Sequence, residues 1–493
     1  MNERINIIRC NDSPPNKKTV ILVIAIALLT ITMCAVFFSL ILMLEPESEP
    51  EPDDSFIFPD HSLSVLTCDS GHIFVFDNKT VVQAAGTKKI LQKNLYNTCA
   101  IYLDEENSLY FVDKNGYIKI GDNVMTATLS DTGNYVVYIS SSASLFNILY
   151  RYDIGKNISS VVDRSTGLSA NTNLLFSPNG KTFIYSKHFV KDDFYVSNNG
   201  EKGTLLEDIA NVDTISNGGK YLLWHTDDNE FFYRFEGVDY PINTDIPESI
   251  FTNRNCNEFI YSTKNNGSYV ITEKSDIRKI SDNSLVYLYF PSYSLRGKNR
   301  TLAINHFNRK VFLSQSLTSL SYDMTYIDSR YNDVTFAGIN IPMDSYQSYN
   351  LSTFYFVKYG SLIKFNRNNS EKVEVISRGV LSDSLIVSRN GKYLYYIDLK
   401  KNLYCIYHGE VYLVSENVEK AVLNVNDKLY FMTDDKIMVL KNKTGYSEVY
   451  FEETVYGGIL YEQDGHAFYQ NENNIYLLDG NKGMLIFSDS SQE

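Results

Sequence analysis

Seven histidines and the carboxylates around them are the side chains that could move protons, and their spacing decides whether they could act together. His61, His72, His188, His225, His306, His408 and His466 are scattered along the chain. None stands in a His-x-x-x-His pair or at ligand spacing from a cysteine, so no metal site is expected. His188 and His225 come nearest to a repeated acid–base position. They follow Tyr185 and Trp224 at different offsets, however, which argues against equivalent places. The acidic pairs Asp192-Asp193, Asp227-Asp228 and Asp434-Asp435 lack the alternating oxygen ligands and the glycine in register of a calcium loop, and read as solvated turns. No Gly-x-Ser-x-Gly elbow occurs, which argues against a serine hydrolase domain. No catalytic, cofactor-binding or metal-ligating residue is therefore assigned, and no cofactor is expected.

The cysteines are Cys10, Cys34, Cys68, Cys99, Cys256 and Cys405, without metal-type spacing. Cys68 and Cys99 fall in neighbouring repeats and could form a disulfide if the body lies outside the cytoplasm. The alternative is that they are buried thiols in strands.

The elements that must position any site are short strands around a recurring turn. It reads Ser177-Pro178-Asn179-Gly180-Lys181-Thr182-Phe183-Ile184-Tyr185. Copies begin at Ser130, Ser216 and Ser388. Serine, two turn residues, glycine and a polar residue are followed each time by aromatic and aliphatic residues. Glycine supplies a positive φ and the residues after it favour strand. Aromatic residues recur at 138, 185, 224 and 261, and again at 396, 430 and 468, a period of about 40 that suits one propeller blade of four strands. The repeat is faintest over 281–350, where degenerate blades or an insertion are both open. The 38 tyrosines could offer stacking platforms to sugar, but their recurrence at one place in the repeat favours packing.

These stretches resemble the WD40-like propeller repeats of Tol type, which also occur in the propeller domain of prolyl-oligopeptidase-like proteins. The resemblance implies an all-β fold and no particular activity. At about 40 residues each, a body of this length would hold more than ten blades. Single propellers usually have four to eight. One propeller of seven or eight long blades is expected, with two smaller propellers in tandem as the alternative.

Ahead of the repeats, residues 1–18 form a polar tail ending in Lys17 and Lys18. Residues 19–44 carry no charge, and as a helix would span about 39 Å against a hydrocarbon core of about 30 Å. A single transmembrane helix is expected there. Residues 45–59 are rich in glutamate and proline and read as an extended linker. Basic residues before the span and acidic ones after it put the N-terminus in the cytoplasm and the body, residues 60–493, outside the cell membrane.

The net charge of −14 leaves an acidic body, which argues against nucleic acid as a partner. The expected function is a non-enzymatic protein-binding or scaffold module at the cell surface. Recognition of cell-wall glycan or peptide as a sensor subunit is a second reading. A propeller hydrolase or lyase using channel residues is a third.

Overall fold

The chain divides into two compact units, Met1–Ser55 and Phe56–Glu493. The computed structural model describes residues of the second unit, from 63 to 488 with gaps, and gives only the backbone of strands between 282 and 354. The tail, apolar span and linker expected at 1–18, 19–44 and 45–59 lie outside the described residues, as do Cys10, Cys34, Cys256, His61 and His306. Among the described residues no helix is long and apolar enough to cross a membrane.

The second unit is a β-propeller built from antiparallel meanders. Eleven sheets stand among the described residues, numbered here 1 to 11: 63–85, 87–121, 124–165, 174–206, 211–241, 247–281, 285–341, 346–378, 386–415, 418–448 and 459–488. Sheet 1 shows three strands and the others four. Sheets 6 and 11 each gain a two-residue parallel strand, Thr301–Leu302 and Tyr450–Phe451. The faint region 281–350 thus contains a sheet of its own. Its first strand is Leu285–Leu288, and the segment Thr301–Leu302 is lent to sheet 6.

Among the described residues both faces of a middle strand are apolar, so these sheets are covered on both sides. Thr182–His188 is buried at all but its last residue, whereas outer strands such as Val373–Arg378 are largely exposed. Separate apolar clusters join sheets 1 through 6 in succession and 8 through 11 likewise. A further cluster seals sheet 11 against sheet 1 through Leu66, Ile73, Val75, Phe468, Ile475 and Leu477. That closure is what makes the fold a propeller rather than an open array.

The recurring serine turn sets the register of sheets 3, 4, 5 and 9. Ser130, Ser177, Ser216 and Ser388 are buried, and each hydroxyl accepts the backbone N–H five residues on, at 2.8–3.2 Å. Each serine N–H in turn donates to the carbonyl of that same residue, at 2.8–2.9 Å. Gly180 sits at φ 71°, and a Cβ there would come 2.6 Å from Cβ of Ser130 in the preceding sheet. The glycine is thus required both by the left-handed backbone and by the stacking of one turn on the next. Beyond the turn, second- and third-strand aromatics face each other across the ladder. Tyr102–Tyr110, Tyr138–Tyr150, Tyr185–Tyr195, Trp224–Phe232, Tyr261–Tyr269 and Tyr396–Tyr404 are in direct register, with ring centroids 4.5–5.3 Å apart. Such pairs are a principal stabilising unit of a sheet.

One expectation is corrected, and one choice left open by the sequence is decided. Eleven sheets replace the seven or eight blades, because strands of five to seven residues joined by tight turns keep each sheet near the 40-residue period rather than above it. The Cys68–Cys99 disulfide is not formed. Cys99 lies inside the cluster between sheets 2 and 3, and Cys68 at the seam between sheets 11 and 1, on the other side of sheet 1.

Chemical denaturation of the full chain should separate the two roles of glycine. Ser177→Ala leaves the buried Thr182 N–H short of a partner and should lower stability by about 1–3 kcal/mol. Gly180→Ala should lose about 2–4 kcal/mol, combining left-handed strain with overpacking. Gly218→Ala, at φ 72° with open space beside it, should lose only about 1 kcal/mol. Equal losses at Gly180 and Gly218 would refute the stacking of turns.

Candidate functional site on the turn face

The turns joining first to second and third to fourth strands in sheets 2 and 3, and second to third in sheet 1, lie at one end of the sheets. Between sheets 1, 2 and 3 they enclose a cavity of about 270 Å³. Its floor is apolar, with Phe76, Cys99, Phe111 and Gly133 buried. Its rim carries Asp77, Thr98, Asp113, Lys114, Thr132 and Asn134. Asp113 is held by the backbone N–H of Asn115 at 2.7 Å and by its side-chain amide at 3.1 Å. Burial pushes the Cys99 thiol up to about 12, against a weak hydrogen bond from Thr98 and with Asp113 adding to the rise. The thiol is therefore neutral and a poor nucleophile. No histidine lines this cavity.

A second cavity, of about 460 Å³, lies at the seam where sheet 11 meets sheet 1. His72 lines it beside Gln83, Ala84 and residues 485–488. Burial holds the His72 imidazole below its ordinary range, partly opposed by a hydrogen bond to the Thr87 backbone, so the ring is neutral near pH 7. No carboxylate lines this cavity.

The described histidines do not converge. His188 Nδ1 meets Asp192 at 2.9 Å on an exposed surface. His225 Nδ1 meets Asp213 at 3.2 Å and stacks on Phe231. His408 lies edge-on to Tyr407. His466 is fully buried with Nδ1 2.6 Å from Ser64 Oγ. The Ser64 hydroxyl donates its one proton to the Gln463 carbonyl at 2.5 Å, so His466 Nδ1 must carry the proton between them. A serine nucleophile needs the reverse, an imidazole that takes the hydroxyl proton. This pair is a structural clasp.

Asp192-Asp193 opens a strand and Asp434 stands in the turn before Lys436–Leu440, whereas Asp227 and Asp435 lie outside the described residues. Among the described residues no group of three or more histidine, cysteine or acidic side chains is placed to hold a metal ion. The aligned aromatics at 138, 185, 224, 261, 396, 430 and 468 are all buried. Packing, rather than an open sugar platform, accounts for them.

Sequence reasoning missed the buried ion pair between sheets 3 and 4. Lys187 Nζ lies 2.7 Å from Asp163 Oδ2, with both side chains at most 10% exposed. The Tyr185 hydroxyl donates to the same oxygen at 2.7 Å, and the ammonium sits 4.1 Å from the Tyr195 ring centre. Burial alone would raise the Asp163 carboxyl, but hydrogen bonds from Lys187, Tyr185 and the Arg164 amide outweigh it and hold the carboxyl below its usual range. The available signal was a lysine just after the apolar run Phe183-Ile184-Tyr185 in the strand Thr182–His188. Its partner is distant in sequence and could not be named.

Asp163→Asn or Lys187→Met should each cost about 3–5 kcal/mol, because either leaves a buried group uncompensated. Asp163 has a folded pKa below its unfolded one. Its contribution is present above about pH 4 and is lost as pH falls through the folded value. Acid unfolding should therefore steepen below about pH 4 in wild type and less so in Asp163→Asn. Equal acid sensitivity would contradict the pair's role.

No protein-family model matches this sequence, and no curated protein matches it. Similar solved structures include a eukaryotic initiation factor, 10% identical with a TM-score of 0.42, covering 72% of this chain and 97% of that one. TolB from Acinetobacter baumannii is 10% identical with a TM-score of 0.26, covering 55% of this chain and 78% of that one. An oligogalacturonate lyase in complex with manganese is 11% identical with a TM-score of 0.29, covering 72% and 95%. Likeness at this level carries no inference about activity.

Proposed function

We propose that this chain is a membrane-anchored, extracytoplasmic β-propeller that acts as a non-enzymatic protein-binding module at the cell surface, through its turn face. One observation carries the reading. The turn-face cavity sets an apolar floor of Phe76 and Phe111 beneath Asp77, Asp113, Lys114 and Asn134, with the Cys99 thiol at its floor held neutral by burial. A floor of packed rings and turn backbone under a polar, charged rim suits recognition of another protein's surface. Anchorage rests on the uncharged stretch 19–44 with Lys17 and Lys18 before it and acidic residues after it.

A photocrosslinking residue in place of exposed Asn134, on the rim, should capture one reproducible protein on intact cells. Lys114→Glu should lower that yield at least fivefold. Capture of wall fragments alone, or of nothing, would refute the reading.

A further inference from the structure

Asn115-Gly116, Asn179-Gly180, Asn199-Gly200 and Asn217-Gly218 stand in turns between described strands. An asparagine before glycine can convert itself, because the glycine nitrogen can attack the side-chain carbonyl carbon. Groups that hold the amide or the glycine slow that attack. Asn179 Oδ1 accepts from Ser177 Oγ and from the Lys181 N–H, both at 3.0 Å, and the Gly180 N–H donates to the Ser177 carbonyl at 2.9 Å. Asn217 Oδ1 accepts the Asn179 N–H at 2.8 Å. Asn199 is pinned through its N–H to the Lys181 carbonyl at 2.8 Å, and a Cβ on Gly200 would come 2.9 Å from Arg151 Cδ. Asn115 differs. It is exposed in the turn Lys114-Asn115, between the third and fourth strands of sheet 2, and a Cβ on Gly116 would meet nothing within 4 Å. Gly116 pairs with Asp113 as the end rung of an outer hairpin, where a ladder frays first.

We propose that Asn115 is a self-modifying residue, converted to aspartate and isoaspartate by spontaneous deamidation, and that this conversion alters the rim of the turn-face cavity. A bond forms between the Gly116 nitrogen and Cγ of Asn115, and the bond from Cγ to Nδ2 breaks. The proton lost by Gly116 passes through water to Nδ2, which departs as ammonia. Water then opens the cyclic imide at either carbonyl. One opening gives aspartate. The other gives isoaspartate, whose main chain is longer by one carbon. The consequence falls on Asp113, which lines the cavity beside Lys114. Its carboxylate accepts the Asn115 N–H at 2.7 Å and the Asn115 side-chain amide at 3.1 Å. Deamidation replaces the second donor with a like charge, so Asp113 is repelled from its present seat. Isoaspartate also lengthens a two-residue turn and opens the rung between Asp113 and Gly116. The reaction goes beyond the protein-binding reading, and only its effect on partner capture rests on that reading.

The test ages the full chain in detergent micelles in heavy-oxygen water, at neutral pH and physiological temperature, and maps its peptides by mass spectrometry. Labelled aspartate and isoaspartate should accumulate at Asn115 at least fivefold faster than at Asn179, Asn199 or Asn217, and should be absent from that position in Asn115→Ser. No label at Asn115, or equal label at all four asparagines, would overturn the proposal. Amide exchange at 113–116 should rise in the aged chain and in Asn115→Asp, with exchange in sheets 3 to 5 unchanged as proof of folding. Unaltered exchange at 113–116 would overturn the effect on the rim. With the photocrosslinking residue in place of Asn134, Asn115→Asp should capture at least threefold less partner on intact cells than Asn115→Ser. Equal capture by the two variants would overturn the effect on binding while sustaining the protein-binding reading. Capture of nothing by the wild type would remove that reading, and the labelling and exchange would still decide the conversion of Asn115.

Discussion

Among the described residues the middle strands are apolar on two faces, and the first and last sheets cover each other's remaining face. The seam between sheets 11 and 1 is therefore the constraint on which the rest depends. An apolar layer forms there between Leu66, Ile73 and Val75 on one side and Phe468, Ile475 and Leu477 on the other. Directional bonds fix its register. The Gln463 amide donates to the Val65 carbonyl at 2.8 Å, and Ser64 and His466 clasp across the same boundary. Lys93 of sheet 2 reaches over to Asp464 at 2.8 Å and to the Leu63 carbonyl at 3.2 Å, tying three sheets together. Ser64 and His466 are both fully buried, so any misalignment would strand polar atoms away from water.

Given closure, the remaining energetics are local and repeated. Each serine turn sets where a second strand begins, and each aromatic pair sets where the third lies against it. Glycine in the turn lets one sheet approach the next. A structure of this kind holds its turn face rigidly without help from a ligand, which favours binding with little ordering cost. It also leaves an outer strand at the rim of each sheet. Apolar residues such as Val238, Val375, Leu413 and Tyr446 stay partly exposed there, so the rim is sticky unless covered or deliberately used.

Much of this was readable from residue order. The four serine turns and the aligned aromatics stand where the repeat put them, because one spacing satisfies one hydrogen-bond pattern. The copies that escaped notice obey the same physics with other residues. In sheet 2, Asn94 replaces serine and accepts the N–H of Cys99 five residues on, while Asn97 takes the left-handed position at φ 51°. A tighter variant recurs at Asp104, Asp398 and Asn424, each accepting an N–H four residues on, with a left-handed Asn107, Lys401 or Asp427 in place of glycine. Asparagine and aspartate tolerate that backbone and mimic the serine bond, so the chemistry persisted while the letters changed. Sheet number was misjudged for a different reason. The period itself was sound, and the usual size of propellers was a poor guide to this one. The cavities and the Asp163–Lys187 pair were out of reach, since they form between sheets and leave little local pattern.

The most direct test of the closed ring is amide exchange along the full chain, comparing wild type with His466→Ala. If sheet 11 closes on sheet 1 through this clasp, exchange should rise first at 63–76 and 466–478. The effect should fade through sheets 2 and 10 and be absent in 182–198, as expected when each sheet is stabilised by its neighbours. A uniform rise along the chain, or no change at the seam, would contradict it.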